Sequence, residues 1–315
     1  MQARFFISAA GLLSAGHIPP YKGIDTFKGT TYFTGHWPRE KVDFSGQRVG
    51  VIGTGSTGIQ VIPVVAQDAA HLTVFQRTPN YSIPSRNGPT DPRTEQATKA
   101  NYPEIRRKER MSPFGLPEDP PTRSALEVSS EERRQIYENA WQAGGFRILV
   151  DSFKDLVTSR EANRTISAFI IEKIRDRVHN PAIAEKLIPT HPFGTKRRAL
   201  DTDYFETFNR DNVTLVDLKA TPIEAITPRG IRTSEAEHAL DSIIFATGFD
   251  GFTGSLFRMN IRGRGALGRT GQGGSSRHAD YGNRLLVDRR QHPGQAAGDL
   301  ALRRRRHRVS ERLRR

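Results

Sequence analysis

Three glycines, Gly53, Gly55 and Gly58, follow the apolar run Val49-Gly50-Val51-Ile52 and open an apolar stretch that continues through Ala66. A second apolar run, Leu72-Thr73-Val74-Phe75, comes next. Strand, glycine turn, helix and strand within about thirty residues is the setting in which G-x-G-x-x-G binds a dinucleotide. The first glycine allows a tight turn, the second lets backbone approach a pyrophosphate, and the third lets helix and strand pack closely. Gly53, Thr54, Gly55, Ser56, Thr57 and Gly58 are therefore the candidate pyrophosphate site, at a helix N-terminus with its unpaired N–H groups and positive dipole end. The same spacing recurs at Gly263, Gly265 and Gly268, but without a strand before it or an apolar helix after it, and it carries no such expectation.

The residues just past the second run select the nucleotide. An NAD site places a carboxylate there for the ribose 2′-hydroxyl, whereas this chain has Gln76-Arg77-Thr78, with Arg77 lying 24 residues beyond Gly53. A guanidinium at that point suits a 2′-phosphate, so NADPH is expected over NADH. Farther on, Gly194-Thr195-Lys196-Arg197-Arg198 sets three consecutive cations after a glycine. By composition alone that is a solvated loop.

These residues need a fold to place them. With 315 residues, 36% hydrophobic and 26% charged, the chain can bury one large or two modest cores. The absence of cysteine excludes disulfide frameworks, thiolate metal sites and a cysteine nucleophile. Histidines and carboxylates show no metal-ligand spacing, and no hydrolytic triad stands out, so no metal is expected. No apolar run is long enough to span a membrane. Residues 5–11 read as a short buried strand; a secretory leader is disfavoured by the single Arg4 and the lack of cysteines, and a cytoplasmic location is expected. The formal charge of +14 is concentrated near the C-terminus: residues 262–315 hold 15 Arg, no Lys and 4 acidic residues. An RNA- or DNA-binding role through the arginines of 303–308 ranks last, because no aromatics interleave with them.

Strand character returns at Val213-Thr214-Leu215-Val216 and at Ser242-Ile243-Ile244-Phe245-Ala246, whereas residues 94–187 are polar and helical in pattern. Pro63 stands inside the first helix, where it should kink it. The expected fold is α/β: a doubly wound, Rossmann-like NADPH domain of residues 41–92 and 193–250, interrupted by a helical insertion at 93–192.

Several stretches together resemble the Baeyer–Villiger monooxygenases. They are Phe27-Lys28-Gly29 through Trp37-Pro38, the glycine turn with Ile59-Gln60, Phe75-Gln76-Arg77-Thr78-Pro79, Phe193-Gly194-Thr195-Lys196-Arg197, Asn209-Arg210-Asp211-Asn212-Val213 and Ala246-Thr247-Gly248-Phe249-Asp250. The resemblance covers most of residues 1–261. It implies FAD reduced by NADPH, and O2 used to insert an oxygen atom beside a ketone carbonyl, giving an ester or lactone. It also implies that Gly53 to Gly58 hold the NADPH pyrophosphate, that Arg77 and Lys196 clamp the 2′-phosphate with Thr78 among the cofactor-binding residues, and that Arg197 is the active-site arginine. A permanent cation suits the negative charge that develops in such a reaction.

The family signature F-x-G-x-x-x-H-x-x-x-W-P maps onto Phe27, Gly29, Trp37 and Pro38, with Phe33 at the histidine position and His36 out of register. Phenylalanine cannot make the hydrogen bonds of an imidazole. The family's FAD fingerprint has no counterpart in the sequence. Residues 1–40 are accordingly expected to be a remnant of an FAD domain with a linker, and 251–261 the return to it. Residues 262–315, rich in Arg and Gly, read as a disordered tail or as a segment translated out of register. The resulting expectation is a monooxygenase truncated at both ends and inactive as it stands, with a non-catalytic NADPH-binding remnant as the alternative. The ketone and the oligomeric state stay open.

Overall fold

The computed structural model describes residues 9–112, 115–251 and 253–259. The described residues up to 256 form one compact unit, and of the second unit only 257–259 are described. Of the strand expected at residues 5–11, residues 5–8 lie outside the described residues and 9–11 form no strand; the second glycine pattern at 263–268 and the basic tail also lie outside the described residues.

Five parallel strands make the central sheet, in the order β1 (Thr30–Phe33), β10 (Ser242–Phe245), β2 (Arg48–Ile52), β3 (His71–Gln76) and β6 (Val213–Asp217). The three inner strands are buried almost throughout, as a parallel sheet covered on both faces requires. Alternate residues feed opposite faces. Val51, Val74, Leu215 and Ile244 join the larger core, and Ile52, Phe75, Val216, Ile243 and Phe245 the smaller one.

On the larger-core side, helix α1 (Ser56–Asp68) links β2 to β3. Ile59, Ile62, Val65 and Ala66 are its buried stripe. The helix continues through Pro63, whose ring is buried. Asn212 holds the far end by donating to the carbonyls of Ala66 (3.0 Å) and Ala69 (2.9 Å), which satisfies two orphan acceptors of the last turn. The smaller core is closed by an antiparallel sheet of β7 (Ile223–Thr227), β8 (Gly230–Thr233) and β9 (Glu237–Ala239), which occupies the connection from β6 to β10.

Between β3 and β6 lie β4 (Ser82–Pro84), the helices α2 (Pro92–Ala100), α3 (Tyr102–Met111), α4 (Ser130–Ala143), α5 (Arg147–Val150), α6 (Arg160–Arg177) and α7 (Pro181–Leu187), then β5 (Ala199–Asp201) and α8 (Tyr204–Thr207). A last short helix, α9, spans Gly254–Arg258. β4 and β5 pair in parallel as a separate two-stranded sheet. One difference from expectation concerns Thr30–Phe33. Read as linker, it is the edge strand of the central sheet, paired along its length with β10. Its half-exposed Thr-Thr-Tyr-Phe pattern lacks the continuous apolar run that marks the inner strands.

Candidate dinucleotide-binding site

The register aligns Phe33, Phe245, Ile52, Phe75 and Val216 in one row across the sheet, just before the strands end. The loops after these carboxyl ends form the edge where open α/β sheets bind ligands. Gly53 leaves β2 with φ +107, and a Cβ there would come within 2.5 Å of the Ala246 carbonyl oxygen. A Cβ on Gly58 would overlap the Gly53 carbonyl oxygen. Gly55 differs: a Cβ there would meet nothing within 4 Å. Two of the three glycines are therefore required by packing, and the third faces open space.

Gly55, Ser56 and Thr57 are exposed, and no side chain caps the first turn of α1, which also carries no acidic residue. Its N–H groups and positive dipole end point outward. Thr54 is buried, and its hydroxyl donates to the Thr78 carbonyl oxygen at 3.2 Å. It ties the glycine turn to the loop that carries Arg77.

Arg77 and Thr78 follow β3, and Lys196 and Arg197 precede β5. The β4–β5 pair brings these two segments together. Ala199 N donates to Tyr81 O (3.1 Å), and the Asn80 amide donates to Arg197 O (2.9 Å). Arg77, Lys196 and Arg197 are exposed, and none makes an ion pair among the described residues. Arg198 is turned inward over the rings of Phe146 and Phe193, and burial, then the Arg197 charge, lower its pKa.

Asn163 fixes the start of the basic loop. It accepts from Phe193 N (3.1 Å) and donates to the carbonyls of Phe193 and Leu156. Gln76, at the end of β3, donates to Lys186 O (2.7 Å), which fastens α7 beside the same strand end. At the base of the insertion Asp201 is buried within 3.7 Å of Arg177, whose guanidinium also lies over Trp141. Desolvation raises the Asp201 pKa, against the pull of Ser82 and Arg177. Sequence reading missed Asn80, Asn163 and His191, because a lone amide or imidazole carries no spacing signal. His191 stands edge-on to Tyr81, with ring centroids 5.4 Å apart.

The signature residues lie along β1 and its flanks. Phe27 packs against the smaller core, and a Cβ on Gly29 would strike the Asp241 carbonyl oxygen. Trp37 contacts Tyr32 and Phe44, with Pro38 following. Phe33 packs edge-on to Phe249 and His36 and fills the space where side chains on Gly16 and Gly35 would stand. Among the described residues no group of three potential ligands could hold a metal ion, and no helix is long and apolar enough to cross a membrane.

No protein-family model matches the chain. Individual relatives do. The chain is 47% identical over 269 residues to a Baeyer–Villiger monooxygenase of Pseudooceanicola batsensis, covering 84% of this chain and 49% of that protein. It is 46% identical over 267 residues to the cyclohexanone 1,2-monooxygenase of an Acinetobacter species, covering 84% and 49%. The solved complex of OTEMO with FAD and NADP superposes with a TM-score of 0.81 at 46% identity, covering 83% of this chain and 50% of that one. The chain thus spans about half the length of the curated relatives it matches. Fold and sequence agree: over 83% of its length the chain matches members of the Baeyer–Villiger monooxygenase family.

Proposed function

We propose that the chain binds NADPH at the Gly53–Gly58 turn and provides the nicotinamide half of a flavin-dependent monooxygenase that converts a ketone, with O2, into an ester or lactone. The observation that carries this reading is the open space at Gly55. A turn whose first and third glycines are consumed by packing keeps its second one facing outward, beside uncapped N–H groups, and that is the cradle a diphosphate needs. The exposed Gly55, Ser56 and Thr57 would touch the diphosphate, and the buried Thr54 would hold the turn in place.

Arg77 would pair with the 2′-phosphate through its planar guanidinium, with Thr78 and Lys196 beside it. Arg197 would lie toward the flavin, where its fixed charge stabilises negative charge developing at the reacting centre. FAD, when bound, supplies the oxygen chemistry. The Gly53 turn is the one described glycine turn that follows a buried strand and opens a helix, and it is assigned here to NADPH; the FAD site is an expectation drawn from the relatives. Calorimetric titration with NADPH and NADH tests the reading. Tighter binding of NADPH, reduced to the NADH level in Arg77→Ala, supports it; equal affinity of the wild-type chain for both overturns it.

A further inference from the structure

We propose that Lys219 is a third cation of the 2′-phosphate pocket, so that preference for NADPH is shared among Arg77, Lys196 and Lys219. This inference rests on the reading above and deepens it. β3 and β6 are neighbours in register, with Gln76 opposite Asp217, so the residues that follow each strand emerge side by side. Leu218 N donates to Gln76 O at 2.8 Å, which extends the pairing one step beyond the strands and sets Lys219 next to the stretch that begins with Arg77.

The Lys219 backbone is fixed. Its N–H donates to the Asp217 carboxylate (2.9 Å), while the N–H groups of Ala220 and Thr221 and the Thr221 hydroxyl all converge on Asp217 O. The side chain is exposed and makes no ion pair among the described residues. Its charge is thus neither neutralised nor used for folding.

His191 marks where that charge lies. The imidazole is held against Tyr81, whose carbonyl accepts from Ala199 in the β4–β5 junction. Burial lowers its pKa first, and the charges of Lys196 and Lys219 lower it further. Both ammonium groups therefore lie close enough to one ring to be felt there, and Lys196 precedes β5 while Lys219 follows β6. Three segments thus carry cations at the carboxyl edge of β3, with Lys196 and Lys219 both felt at His191, and together they offer a place for a dianion. A phosphomonoester fits it, whereas a ribose hydroxyl leaves the charge unanswered.

The test uses the full chain and compares NADPH and NADH affinities of the wild type, Lys219→Ala, Lys219→Arg and Arg77→Ala. The expected result is a loss of roughly three- to tenfold in NADPH affinity for Lys219→Ala, unchanged NADH affinity, and recovery in Lys219→Arg. Wild-type NADPH affinity in Lys219→Ala overturns the inference while leaving the Arg77 reading intact. An equal loss of NADPH and NADH also overturns it, since the lysine would then serve the shared part of the nucleotide or the fold. If the wild type shows no preference for NADPH, both the pocket and its third cation are refuted.

Discussion

The side-chain amide of Asn80 donates to the carbonyl oxygen of Arg197 at 2.9 Å, joining residues 117 positions apart. It stands at the point where the segment leaving β3 with Arg77 meets the segment entering β5 with Lys196 and Arg197. The candidate 2′-phosphate cations and the candidate active-site arginine thus share one support, made of this hydrogen bond and the short β4–β5 pair.

Removing that support should loosen the pocket without removing any cation. Asn80→Ala leaves the Arg197 carbonyl without its donor, a cost of about 1 kcal/mol. The expected outcome is a folded protein, by circular dichroism, with NADPH affinity lowered less than by Arg77→Ala. Unchanged affinity would mean that the β4–β5 pair positions the basic loop without Asn80.

Gly58 and Gly55 should respond differently to one methyl group. In Gly58→Ala the new carbon collides with the Gly53 carbonyl, a backbone atom that cannot swing away, so a loss of about 1–3 kcal/mol in unfolding free energy is expected. Gly55 has φ −82 and ψ −170, a conformation alanine adopts freely, and the methyl enters open space. Gly55→Ala should therefore melt like the wild type and still bind NADPH more weakly. Full NADPH affinity in Gly55→Ala would remove the diphosphate from this turn.

The buried Asp201 carboxyl makes a pH-dependent contribution to stability. Its folded pKa is raised, chiefly by desolvation, so the folded state binds the proton more tightly than the unfolded chain. The resulting stabilisation is present below the unfolded value near ~4 and is lost as pH rises through the folded value. Asp201→Asn removes this dependence. Urea midpoints of the variant relative to wild type should rise between pH 4 and 7; a relative midpoint that falls with pH would show that the Arg177 pair outweighs burial.

The fold class and the β2–α1–β3 unit could be read from the residues because their signals are local. Continuous apolar runs mark the inner strands, and glycines at fixed spacing mark the turn. The edge strand Thr30–Phe33 escaped such reading, since half of its side chains face solvent and its partner β10 lies over two hundred residues away. The candidate site divides along the same line. Arg77 follows a predicted strand at a meaningful distance from Gly53, whereas Lys196 and Arg197 acquired a role only through family resemblance. Asn80, His191 and Lys219 depend on pairings between distant segments, which no short pattern encodes.

The most direct test is a crystal structure of this chain with NADP+ bound. The diphosphate should lie against the N–H groups of Gly55, Ser56 and Thr57, with the 2′-phosphate beside Arg77. A nucleotide bound elsewhere, or a diphosphate that makes no contact with the turn, would contradict the assignment.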